Sequence, residues 1–126
     1  MSKKTLQDLL NEANENIKRL TFDEANKLIK ETSHIILDVR EESEVFNLGK
    51  IKHAIHVPRG LIEFTFNSEN LSNPENITID TNILCYCAAG ARSALAAQSL
   101  KRLGFKNVYN IGGYAEWIEN GGEIEK

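Results

Sequence analysis

The chain has 126 residues, 41% apolar and 26% charged, with fifteen basic against eighteen acidic residues and a net charge of −3. That length suits one domain around a single core, and the composition is that of a soluble globular protein. No Lys/Arg run argues for a nucleic-acid partner, and no apolar stretch suits a signal peptide or a membrane span, so the expected location is cytoplasmic.

Residues 1–16 read as an N-terminal helical extension, with Leu6, Leu9, Leu10, Ala13 and Ile17 at helical spacing. The main domain spans 17–126. It opens with a short alternating strand, Ile17-Lys18-Arg19-Leu20, and the capping box Thr21-Phe22-Asp23-Glu24 then starts a helix through Lys30. His34 to Val39 is an apolar run suited to burial on both faces of a parallel sheet. The acidic stretch Glu41-Glu42-Ser43-Glu44 reads as a solvated helical turn. Ala54-Ile55-His56-Val57 is a further strand, stopped by Pro58. A small helix near Leu61–Phe66 and a surface loop around Pro74 lead to the strand Asn82–Tyr86.

Past that strand, Cys87-Ala88-Ala89-Gly90-Ala91-Arg92-Ser93 leads into a helix with Leu95, Ala96, Leu100 and Leu103 inward, ending at Gly104. Val108 to Ile111 is the last expected strand. Gly112-Gly113 then forms a tight turn into the helix at Ala115–Ile118, where Trp117 and Ile118 anchor the core. Strands alternating with helices predict an α/β fold, with a parallel central sheet of about five strands and helices on both faces.

The functional crevice of such a sheet lies beyond the carboxyl ends of its strands. Asp38, Arg40, Pro58-Arg59, Cys87 and Gly112-Gly113 all fall there. A thiol between a strand end and a helix start faces unpaired N–H groups, which favour an anion and should lower its pKa. The loop carries no acidic or bulky side chain that would keep its amides away. Cys85 lies inside the strand as a small core residue. The two cysteines are expected on opposite sides of the extended chain, a poor geometry for a disulfide. With no clustered histidines they supply no metal site either.

Leu37-Asp38-Val39-Arg40, the segment Gly49 to Pro58, the Cys87 loop and Gly112-Gly113-Tyr114-Ala115-Glu116-Trp117 together resemble the rhodanese (sulfurtransferase) family across about residues 19–122. Lys50 stands where that family often has His, and His53 where it often has Gly, which bears on the shape of the rim. The resemblance implies a domain that carries sulfane sulfur as a persulfide on Cys87 and needs no cofactor. Amides from Ala88, Ala89, Gly90, Ala91, Arg92 and Ser93 would cradle the persulfide anion, as an oxyanion hole does for oxygen. The Arg92 fork would bind the sulfonate end of a donor. Arg59 on the rim would steer anions or lie as a solvated arginine. Asp38 and Arg40 are expected to tie the strand end to neighbouring loops.

The implied partners are a small anionic sulfur donor such as thiosulfate, a thiol or cyanide acceptor, and in a carrier role a sulfur-relay protein. Phosphatases and arsenate reductases of similar fold use a loop one residue longer between the cysteine and the arginine. Here four residues separate Cys87 from Arg92 and six separate Cys85 from it, so neither cysteine has the phosphatase spacing. Three readings follow: a thiosulfate or persulfide sulfurtransferase, a persulfide carrier, and the disfavoured phosphatase.

Overall fold

The computed structural model describes residues 3–67 and 77–126. Helix α1 (Leu6–Asn16) precedes strand β1 (Lys18–Arg19), helix α2 (Phe22–Glu31), strand β2 (His34–Asp38) and helix α3 (Glu42–Leu48). Strands β3 (Lys50–Ile51) and β4 (Ile55–His56), a single 3-10 turn and helix α4 (Ile62–Phe66) follow. The second half contributes β5 (Asn82–Cys87), α5 (Ala91–Arg102), β6 (Asn107–Gly113), α6 (Tyr114–Glu119) and β7 (Ile124–Glu125). Much of the loop expected around Pro74 lies outside the described residues.

Five strands form one parallel sheet in the order β1-β6-β5-β2-β4, and β3 pairs antiparallel with β7. The expected α/β class with helices on both faces is therefore the observed one. The β3–β7 pair was not expected: neither Lys50-Ile51 nor Ile124-Glu125 lies in an alternating or apolar run of strand length.

Alternation along the sheet builds two cores. Ile35, Leu37 and Val39 from β2 and its exit join Ile83 and Cys85 under α4 and α5, with Ile62, Phe66, Ala96, Ala97 and Leu100. Ile36, Leu84 and Tyr86 point the other way, toward Ala25 of α2 and Tyr114 and Trp117 of α6. Fully burying a side chain such as Leu100 stabilises the fold by about 1.5–3 kcal/mol. Cys85 and Cys87 both belong to the α5-side core and both are free thiols. This corrects the expectation of opposite faces: residues two apart in a strand share a face.

The helix starts follow their sequence signals. Thr21 Oγ1 accepts from the Glu24 amide while Glu24 Oε1 accepts from the Thr21 amide, the reciprocal box. Thr5 and Asp8 repeat it on α1. Helix α1 packs on α5 through Ala13, with Ile17 buried just beyond it, while Leu6 and Leu9 stay exposed. Ile118 is also exposed, because α6 turns only Tyr114 and Trp117 inward; this corrects its expected core role.

Candidate active site

Cys87 is the last residue of β5, and Gly90 caps α5 in the left-handed region at φ 105°. That conformation costs an L side chain about 1–2 kcal/mol and costs glycine nothing comparable. It turns the chain sharply enough for the Gly90 N–H to donate to Cys87 Sγ at 3.0 Å. Ser93 Oγ lies 3.4 Å from the same sulfur. The thiol is 1% exposed. Burial opposes its ionisation, but the Ser93 hydroxyl and the Ser93, Gly90 and Ala89 amides outweigh burial and hold the thiol below its ordinary value. Cys85, two residues earlier in β5, is pushed far above its own by burial and by the neighbouring Cys87.

Ala88, Ala89 and Ala91 are exposed around this sulfur, while Gly90 and Ser93 are buried. Gly113 packs so close to the loop that a Cβ there would lie 2.5 Å from the Ala88 carbonyl oxygen. Gly112 and Gly113 are not a turn, as expected, but the end of β6. Cys85 registers with Asn110 and Tyr86 with Gly112, so Ile111 is an extra residue, a bulge beside the loop.

The structure commits the Arg92 fork to Glu44 of α3, at 2.6 and 3.0 Å. Those bonds, with a smaller contribution from the field of Cys87, raise Arg92 above its ordinary value, and they hold Glu44 down to about 2. Glu44 is thus a partner of the loop and not part of a solvated turn, which corrects that expectation. The Arg59 guanidinium donates to Glu63 and to Ser99 Oγ. Asp38 and Arg40 form a buried pair at 2.7 Å; Arg40 also donates to the Gly49 carbonyl, and Tyr86 donates to Asp38. They tie the β2 exit to its neighbours. His53 holds φ at 68°, so the left-handed turn survives without glycine, in a residue type that tolerates that region comparatively well.

Three residues with no role in the sequence reading touch this loop. Glu44 is one. Arg19, half exposed and paired with Glu116, lies where Cβ atoms on Gly90 and Gly112 would collide with its guanidinium. Asn110 is buried beneath the loop, where it accepts from Ser93 and donates to the Gly90 carbonyl. A lone Asn inside the apolar strand Val108–Ile111 was the one available sequence signal; nothing local could join Glu44 to Arg92 across 48 positions.

Comparison with known proteins bears on this site. Residues 21–120 match the model of the Rhodanese-like domain. A mitochondrial protein of Schizosaccharomyces pombe, named provisionally as a thiosulfate sulfurtransferase, is 31% identical over 114 residues, covering 82% of this chain and 80% of its own length. A tRNA uridine(34) hydroxylase of Prochlorococcus marinus is 34% identical over 104 residues, which is 80% of this chain and 32% of that protein. Among solved structures, a Rhodopseudomonas palustris protein of unknown function, described as a possible tyrosine phosphatase, superposes with a TM-score of 0.87 at 34% identity. The match covers 99% of this chain and 97% of that one.

Proposed function

The chain belongs to the rhodanese-like family, and on that premise we propose that it is a sulfurtransferase working through Cys87. The observation that carries this reading is the buried thiol with its sulfur 3.0 Å from the Gly90 amide and its proton affinity lowered by loop donors. With thiosulfate as donor, the Cys87 thiolate attacks the outer sulfur. The new S–S bond forms, the bond to the sulfonate sulfur breaks, and sulfite leaves with the electron pair. Cys87 then carries a persulfide. An acceptor thiolate or cyanide attacks the outer sulfur, leaves as a persulfide or thiocyanate, and returns the Cys87 thiolate. The Ala89, Gly90 and Ser93 amides serve both sulfur anions from one fixed position. A persulfide donor enters by the same step, with its thiolate leaving.

The four-residue spacing from Cys87 to Arg92 argues against phosphate chemistry, and so does the closure of the Arg92 fork on Glu44. The second reading is a carrier fed by a partner's cysteine: the methyl groups of Ala88, Ala89 and Ala91 leave room at the loop for a small anion or a protein thiol alike. Two free thiols suit a reducing compartment such as the cytoplasm. No helix among the described residues is long and apolar enough to cross a membrane.

Thiosulfate loading followed by intact mass spectrometry tests the proposal. The wild-type chain should gain one sulfur atom that cyanide removes; Cys87→Ser should gain none and Cys85→Ser should still load. Loading only from a protein persulfide would favour the carrier reading. No adduct from either donor refutes sulfur transfer.

A further inference from the structure

Asn110 is 2% exposed, and its amide joins three parts of the site. Its Oδ1 accepts from the Gly112 N–H at 2.9 Å and from the Ser93 hydroxyl at 2.8 Å. Its Nδ2 donates to the Gly90 carbonyl at 3.0 Å. The bulge at Ile111 accompanies the first contact, in which a strand residue caps its own backbone two positions on.

Ser93 therefore stands between two acceptors, Asn110 Oδ1 and Cys87 Sγ, with one hydroxyl proton to give. While Cys87 is a thiol, its S–H donates to Ser93 Oγ and the hydroxyl donates to Asn110. When the thiol proton leaves to water, the sulfur has no hydrogen of its own, and the hydroxyl serves either the thiolate or Asn110. If it turns to the sulfur, Asn110 Oδ1 keeps the Gly112 N–H and is not left unpaired, so the turn carries no full desolvation penalty.

We propose that Asn110 is a positioning residue for the Cys87 chemistry, acting through Ser93 by competing with the sulfur for that single proton. The consequence is a moderated anion. A thiolate held too strongly is a weaker nucleophile, and the best attacking thiol titrates near ambient pH. Asn110 withholds part of the Ser93 hydrogen bond and so keeps the sulfur reactive, while its Nδ2 fixes the Gly90 carbonyl behind the amide that remains.

Other charges surround the loop: Arg92 with Glu44 and Glu41 from the start of α3, Arg19 with Glu116 of α6, and the Asp38–Arg40 pair, Tyr86 and Cys85 from the sheet. All of them are present in every variant below and cancel from the comparison.

The inference rests on Cys87 being the working thiol, and its test does not use sulfur transfer. The rate of Cys87 alkylation by iodoacetamide, followed by intact mass across pH, reports the thiol midpoint in wild type, Asn110→Ala, Asn110→Asp, Ser93→Ala and the combined variants. Asn110→Ala should lower the midpoint by about half to one pH unit, or roughly three- to tenfold more thiolate on the acid side. Asn110→Asp should raise it, since a carboxylate holds the hydroxyl harder and adds negative charge. Ser93→Ala should also raise it, and Asn110→Ala should then no longer lower it. A scaffold role alone would make Asn110→Ala loosen the amides and raise the midpoint, with or without Ser93; that result overturns the proposal. Should Asn110→Ala fail to fold, Asn110→Asp decides: its rise must shrink by at least about half without Ser93, and a rise of unchanged size refutes the coupling. A chain that takes sulfur from no donor would sink the functional reading and leave this titration legible.

Discussion

Gly113→Ala places one methyl group against the backbone of the Cys87 loop. Gly113 has φ −107°, an ordinary value for any residue, so the substitution carries no dihedral strain. Its whole cost is steric: the new Cβ would lie 2.5 Å from the Ala88 carbonyl oxygen and 3.1 Å from Ala89 Cα. A carbon rests against a carbonyl oxygen at about 3.3 Å or more, so the loop must retreat by roughly 0.8 Å. Ala88 adjoins Cys87, and the Ala89 amide acts on the sulfur, so the retreat falls on the amide cradle itself. Misplacement by about an ångström costs on the order of a hundredfold in rate, and such overpacking costs about 1–3 kcal/mol in stability. Gly104→Ala is the matched control. At φ 109° it carries about 1–2 kcal/mol of strain with open space around it, at the far end of α5 from the loop. Single-turnover persulfide formation from thiosulfate, quenched and read by intact mass, measures the rate, and urea unfolding measures stability. Gly113→Ala should be slow while Gly104→Ala keeps the wild-type rate at a similar loss of stability. A folded Gly113→Ala chain within about threefold of wild type would refute the reasoning, as would an equal rate loss in the control.

Glu44 is held down to about 2 chiefly by its hydrogen bonds to Arg92, so its contribution is complete above the unfolded carboxylate value near 4.5 and is lost as pH falls from there toward 2. Its side chain is 27% exposed, and after solvent screening the contribution is about 1–2 kcal/mol; Glu44→Gln should flatten the acid limb of denaturant stability by that amount, and an unchanged slope counts against it. Tyr86→Phe removes the hydroxyl that donates to Asp38 at 2.6 Å and accepts from the Ile51 amide at 3.0 Å, so buried groups lose partners and unfolding should become easier by about 1–3 kcal/mol in urea melts. Aryl phosphate hydrolysis by the wild-type chain should be negligible beside sulfur transfer, and robust turnover would return the phosphatase reading.

Local chemistry was enough to place most of this protein. The Thr21–Glu24 box, the apolar runs at 34–39 and 82–86, and Gly104 beyond the α5 helix specified elements through short-range rules of burial, capping and left-handed backbone. The residue types of the Cys87 loop and its position after a strand marked Cys87 as the proposed nucleophile, because a thiol at a helix start meets unpaired amides whatever lies further off. The sequence by itself could not decide where the long side chains end. Arg92 closes on Glu44, Arg59 on Glu63 and Ser99, and Arg19 lies along Gly90 and Gly112; each outcome depends on which surfaces the parallel sheet brings together. Asn110 shows the same limit from the inside. A polar residue in an apolar strand signals a buried partner, but Ser93 and Gly90 become its partners only when β6 lies beside β5 with one residue bulged out at Ile111. Hydrogen bonds act over about 3 Å, while these partners stand 17 and 20 residues apart in the chain, so only the folded sheet could join them.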